Sequence, residues 1–257
     1  MSRELALIDM DGTVYTGNSP IDGVNQALEL LDEKGVEKFF LTNYAGTKRE
    51  SYSRKLEEMG IDASSEDVVT SGWLTSKYIR QNFPDAKVFV LGEEDLKDEL
   101  RNQDIAVVES CSEPEILVVS NKHDLTYEDL KEVLQGVRDD TKVFGTNPDE
   151  TIPGEIGEIP GAGTIIEAVE TMTGKEAEII GKPSRNAVET VTGMKNISPE
   201  DCMMIGDRLN TDIVMGNENG METVLVLSGV TDRKEIENSD ISPDHVIDSI
   251  AELEKIF

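Results

Sequence analysis

Short apolar runs alternate along this chain with longer segments in which apolar positions recur every three or four residues. The first kind reads as buried strands and the second as amphipathic helices, so their alternation predicts an α/β protein with a mostly parallel sheet. Four apolar runs stop abruptly at polar residues. "LALI" ends at Asp9, "KFFL" at Thr42 and Asn43, "AEII" at Gly181 and Lys182, and "CMMI" at Gly206 and Asp207. Ligands of open parallel sheets sit beyond the carboxyl ends of the strands, so these polar residues, far apart in sequence, are expected to converge.

Between the second and third of these strand ends lie the strand candidates "AKVFVL", "IAVVE", "EILVVS" and "TKVFGT", with the helical patterns "EEDLKDELRNQ" and "TYEDLKEVLQGVRDD" among them. Residues 82–173 therefore read as an inserted α/β unit that divides a first domain into residues 1–81 and 174–257. Farther on, "TVLVLSG" predicts another strand, and "DSIAELEKIF" predicts a short amphipathic helix packed on the sheet. A chain of 257 residues removes about three-quarters of its unfolded surface from water and sits where one core begins to split. The expected fold is a doubly wound, mostly parallel core sheet with an inserted α/β cap.

Composition narrows the partners. Asp and Glu total 53 against 24 Lys and Arg, a formal charge of -29, and such a field repels DNA, RNA and anionic lipid. Nothing near the start resembles a signal peptide, and no stretch approaches the roughly 20 apolar residues of a membrane span. The expectation is a soluble cytoplasmic protein with no nucleic-acid or membrane partner, and with room for a homo-oligomer. The acid surplus fits either a salt-adapted protein, whose self-repulsion is screened, or an ordinary acidic one. Cys111 and Cys202 are too few for a disulfide framework, and Cys202 opens an apolar run as a small buried thiol would. With only His123 and His245, a zinc site or a Ser/His/Asp triad has little to build with.

The chemistry concentrates at the strand ends. Asp9 and Asp11 stand two apart before a glycine, which alone could be a turn. Asp207 and Asp212 in "GDRLNTD" place further carboxylates at another strand end, with Lys182 at a third. Like charges crowded together resist ionisation unless a cation lies among them. Oxygen ligands without nearby His or Cys select a hard ion, and a few carboxylates plus water suit Mg²⁺ better than Ca²⁺. Thr42 and Asn43 offer a hydroxyl and backbone N–H groups, and Lys182 a point charge, which together suit a phosphate. A carboxylate approaching a phosphate dianion meets repulsion of about 4 kcal/mol per charge pair at 4 Å and an effective dielectric near 20. Metal and lysine would offset it, permitting a carboxylate nucleophile and a second carboxyl that shuttles a proton.

"DMDGT" (9–13), "LTN" (41–43), "GKPS" (181–184) and "GDRLNTD" (206–212) resemble, in order, the four signature motifs of the haloacid dehalogenase superfamily of phosphotransferases. "TNPDETIP", "PGAGTIIEAVE" and "VLVLSGVT" look like its NagD-like phosphatases, a branch with a large α/β cap between the second and third motifs. The resemblance implies that Asp9 is the nucleophile and a Mg²⁺ ligand. It makes Asp11 the general acid/base, lending its backbone carbonyl to the metal. Thr42 and Asn43 would hold the phosphoryl group, Lys182 would neutralise it, Asp207 would ligate Mg²⁺, and Asp212 would act through water or Lys182. Dehalogenase members lack the second aspartate of the first motif, so Asp11 argues for phosphoryl chemistry.

Asn147 and Asp149 lie in a default turn, "NPD", for which the resemblance adds a substrate-facing role. The chain departs from the branch at Tyr44, Ala45 and Gly46, after the second motif, and at "SNKHD" (120–124), where the branch often carries a Gly-x-Asp-like stretch. Two look-alikes fail. "GKEAEIIGKPS" has the wrong spacing and a proline for a phosphate loop, and "GAGTII" has Ile166 where a dinucleotide fingerprint needs its third glycine, so it reads as a hinge or a close cap-to-core approach. The expected substrate is a small soluble phosphate ester: a nucleoside monophosphate, sugar phosphate, glycerol phosphate, phosphoglycolate or pyridoxal phosphate. A phosphotransferase or mutase, or a non-catalytic sensor of a phosphorylated metabolite, would use the same residues.

Overall fold

The computed structural model describes residues 3–154 and 156–257. The strands of its two main sheets are, in chain order, β1 (Leu5–Asp9), β2 (Glu37–Thr42), β3 (Val68–Thr70), β4 (Lys87–Leu91), β5 (Ala106–Val108), β6 (Ile116–Val119), β7 (Lys142–Gly145), β8 (Glu178–Ile179), β9 (Cys202–Gly206), β10 (Glu222–Val226) and β11 (His245–Ile247). Two compact units result. The first comprises residues 1–42, 49–69 and 188–257, and the second residues 43–48 and 70–187.

The first unit carries a six-stranded sheet of order β11-β10-β9-β1-β2-β3. Its pairs from β11 to β2 are parallel. Every residue of β1 and of β9 is buried, as expected of parallel strands covered on both faces, and this is why both read as continuous apolar runs. The helix α1 (Val24–Glu33) buries Val24, Ala27, Leu28 and Leu31, a stripe at the helical period. Ala6, Ile8, Phe40, Met203, Ile205 and Val224 form the middle of the core. Met203, Met204 and Met215 are fully buried, filling core space as unbranched side chains do. The C-terminal segment is a 3₁₀ helix (Ile250–Lys255), tighter than the amphipathic helix expected, and it buries Ile250 and Leu253 in that core.

The second unit holds a five-stranded, wholly parallel sheet of order β8-β7-β6-β4-β5. One expectation is corrected here. The run ending before Gly181 joins this sheet, not the first, because Glu178 and Ile179 of β8 pair with Phe144 and Gly145 of β7. The core combines Leu117 and Val119 from β6 with Val133, Ile165, Ile166 and Val169 from the helices α2 (Tyr127–Gly136) and α3 (Ala162–Thr173). A capping box starts α2: the Thr126 hydroxyl accepts from the Asp129 amide while the Asp129 carboxylate accepts from Thr126, satisfying end donors that have no partner within the helix. The "GAGTII" glycines start α3 and close on the "NPD" turn of their own unit, for a side chain on Gly163 would collide with the Pro148 carbonyl. Trp73, Cys111 and Cys202 are buried, and His123 is exposed. No helix among the described residues is long and apolar enough to cross a membrane.

Candidate active site

Strand register assembles the first group of residues. Asp9 of β1 lies opposite Leu41 of β2, and Ile8 opposite Ile205 of β9. Asp9, Thr42 and Asp207 therefore leave three adjacent parallel strands at one carboxyl edge. Asp9, Asp207 and Asp212 are buried there, each offering a carboxylate oxygen within 4.8 Å of the others.

Backbone turns hold the carboxylates. Oδ2 of Asp207 accepts a 2.6 Å hydrogen bond from the Val230 amide, and its backbone carbonyl accepts one from Thr231 at 3.2 Å. The Ser228 hydroxyl, on the same loop, donates to the Gly12 carbonyl at 2.6 Å, so one loop clasps both aspartate motifs. Asp212 lies in a π-helical turn (Leu209–Ile213), a local widening that recurs at functional sites. Its Oδ2 accepts from the Arg208 amide at 3.1 Å. Close approach explains three glycines: a side chain on Gly12 or Gly229 would run into the Asp207 carboxylate, and one on Gly206 into that of Asp212.

Three carboxylates so close, with no His or Cys among them, give the all-oxygen surroundings that suit a hard divalent cation. The residues fit Mg²⁺. Asp11 is exposed and stands outside that trio, forming an isolated bridge with Tyr15. Around it lie residues that no motif announced. The Lys55 ammonium sits 3.8 Å from the Tyr15 ring centroid. Burial lowers the Lys55 pKa, opposed by the Asp11 charge; burial, then Tyr52, Asp11 and Asp9, raises that of the Tyr15 phenol.

The second unit gathers Asn43, Asn147, Asp149 and Lys182. Asn43 grips the backbone of Lys182 from both sides, its Oδ1 accepting from the Lys182 amide at 2.8 Å and its Nδ2 donating to the Lys182 carbonyl at 3.0 Å. Nδ2 of Asn147 donates to the Asn43 carbonyl at 2.6 Å, and Oδ1 of Asn147 accepts from the Asp149 amide at 3.1 Å. The Asn43 amide also reaches Asp149 at 3.4 Å. Ser71 and Thr146 extend the network, Ser71 donating to the Asn43 carbonyl and Thr146 to the Ser120 hydroxyl at 2.9 Å. Sequence reasoning passed over both, since single hydroxyls carry no recognisable spacing. Asn121 departs from this pattern: it is buried, and among the described residues no protein group hydrogen-bonds its Oδ1 or its Nδ2. A buried polar group left so costs about 1–3 kcal/mol.

The sequence matches a haloacid dehalogenase-like hydrolase family model over residues 6–106 and a HAD-hydrolase-like model over residues 179–253. It is 36% identical over 254 residues to the sugar-phosphatase AraL of Bacillus subtilis, covering 97% of this chain and 92% of that one. The chain belongs to the haloacid dehalogenase-like hydrolases. Among solved structures, it superimposes on a p-nitrophenyl phosphatase from Archaeoglobus fulgidus with a TM-score of 0.94 at 30% identity, covering all of both chains. A glycerol phosphate phosphatase from Mycobacterium tuberculosis, solved in complex with magnesium, matches with a TM-score of 0.90 at 28% identity, over 98% of this chain and 76% of that one. Within the family the chain falls in the NagD-like and p-nitrophenyl phosphatase branch. It is an enzyme, a phosphoric monoester hydrolase.

Proposed function

We propose that this enzyme is a Mg²⁺-dependent phosphatase of small sugar or polyol phosphates, working through an aspartyl-phosphate on Asp9. One observation carries the reading: the buried carboxylates of Asp9, Asp207 and Asp212 meet at the carboxyl edge of the first sheet. Support for the substrate class comes from the likeness to a sugar phosphatase and to a glycerol phosphate phosphatase.

In this reading Asp9, Asp207 and the Asp11 backbone carbonyl hold Mg²⁺, with Asp212 supporting them. When bound, the ion neutralises phosphate charge that would otherwise repel the nucleophile. A carboxylate oxygen of Asp9 attacks phosphorus as the bond to the leaving oxygen breaks. Asp11 gives its proton to that oxygen. It then takes one from a water whose oxygen attacks the aspartyl-phosphate, releasing inorganic phosphate and regenerating the Asp9 carboxylate. Thr42 and Asn43 hold the phosphoryl oxygens, Lys182 balances their charge, and Asn147 and Asp149 are the proposed substrate-side contacts of the inserted domain.

Replacing Asp9 with Asn tests the assignment. Turnover of p-nitrophenyl phosphate should vanish while the circular dichroism spectrum and affinity for inorganic phosphate persist; substantial remaining turnover removes Asp9 as nucleophile. Phosphate release to water, in preference to transfer to an added alcohol, separates hydrolysis from phosphotransfer.

A further inference from the structure

We infer that Asn121 is a specificity-determining residue whose carboxamide hydrogen-bonds hydroxyl groups on the leaving group of the substrate. This rests on the phosphatase reading above and assigns the part of the substrate beyond the phosphate.

β6 is an inner strand of the second sheet, between β4 and β7. Ser120 still belongs to the ladder, its amide donating to the Leu91 carbonyl at 2.9 Å, and the Thr146 amide donates to Val119 at 3.1 Å. Asn121 is the next residue, at the carboxyl edge where a parallel sheet presents its ligand crevice. The ends of the flanking strands carry polar groups too: Glu93 after β4, and Thr146 and Asn147 after β7.

Those neighbours already have tasks. Glu93 accepts from the His123 amide at 2.7 Å, Thr146 donates to Ser120, and Asn147 holds Asn43 and Asp149. Among the described residues, Asn121 is the buried carboxamide with neither end engaged by protein. A carboxamide offers two donors and one acceptor oxygen. That combination matches a hydroxyl, which both donates and accepts, and it has no use for an aryl ring. A side chain serving the fold alone would be apolar here, or would be paired within the protein or through a buried water. The chemistry therefore selects a polyhydroxylated leaving group, as in a sugar or polyol phosphate.

The test compares esters. Glycerol 3-phosphate, ribose 5-phosphate and glucose 6-phosphate carry hydroxyls on the leaving group; p-nitrophenyl phosphate carries none. For Asn121→Leu, kcat/KM on the best of the three hydroxylated esters should fall about tenfold or more, the loss of a hydrogen bond or two. Turnover of p-nitrophenyl phosphate should stay within about twofold, and the Tm should hold or rise because an unpaired amide has left the interior. Asn121→Thr, which keeps a donor and an acceptor, should show a smaller loss in the same direction and serves if the leucine variant does not fold. Parallel losses on all esters, or no loss on any, overturn the inference, the latter leaving Asn121 as the holder of a buried water. A wild-type enzyme that cleaves p-nitrophenyl phosphate but none of the three hydroxylated esters also overturns it, while sparing the phosphatase reading. Failure to cleave any ester instead overturns the phosphatase reading, and this inference with it.

Discussion

A side-chain carbon on Gly12 would stand 2.6 Å from Oδ2 of Asp207. The turn after the first aspartate motif and the carboxylate of the fourth are thus packed to a distance that only a hydrogen atom can occupy. Gly12 also has φ +90°, where other residues are strained. Gly12→Ala is expected to lower stability by about 1–3 kcal/mol and to cost most of the turnover by displacing Asp207. Thermal melting and p-nitrophenyl phosphate assays check both. Full activity would mean that the Asp207 carboxylate can move without consequence.

Asp207 and Asp212 offer oxygens within the same 4.8 Å group as Asp9. Asp207→Asn and Asp212→Asn should each raise the Mg²⁺ concentration for half-maximal turnover by about tenfold or more. Titrating each variant with MgCl₂ gives the answer, and an unchanged requirement removes that residue from the metal's surroundings.

Far from this site, Arg3 forms a fork of two 2.6 Å hydrogen bonds with Glu222, and Nε2 of His245 lies 2.7 Å from the same carboxylate. The Arg3 hydrogen bond holds the Glu222 carboxyl below its ordinary range, against the opposing effect of burial and with help from His245. A depressed carboxylate stabilises the fold above its unfolded pKa of about 4.3, and the contribution disappears as pH falls through the lower folded value. Glu222→Gln should therefore cost about 1 kcal/mol at neutral pH and progressively less in acid. Urea unfolding of both proteins across that range reads the difference; a pH-independent gap would assign the effect to packing.

Burial pushes the Cys202 thiol up to about 12 and the Cys111 thiol up to about 11. The thiolate is the reactive form, so neither cysteine should be alkylated by iodoacetamide at pH 8 in the native state, and both should react in urea. Mass spectrometry distinguishes the two states. Rapid native labelling would show that the strand β9 or the loop before β6 opens readily.

A formal charge of -29 makes salt a further variable. Screening shortens from about 10 Å at 0.1 M to about 3 Å at 1 M, so the Tm should climb along a KCl series as self-repulsion weakens. A flat series would leave the acidic surface as a device for solubility alone.

The strand ends in the first unit were legible because β1 is apolar up to Asp9 and β9 is apolar up to Gly206 and Asp207, a contrast visible without coordinates. The segment ending before Gly181 was misplaced. Two paired residues, Glu178 and Ile179, decide its sheet, and local apolarity does not say which of two parallel sheets will accept a strand. The roles of Gly12, Gly206 and Gly229 were hidden for a related reason: each answers a carboxylate brought up by the fold. The stretch that holds Asn121 stood out as a departure from the branch, but the residue itself did not, because burial without a protein partner is a property of three dimensions that no spacing records.

Asn43 accepts from the amide and donates to the carbonyl of Lys182, so one carboxamide substitutes for a neighbouring strand at that point. The lysine's main chain is consequently tied to Asn43 through both its amide and its carbonyl, so a shift of either segment breaks or drags that pair of bonds.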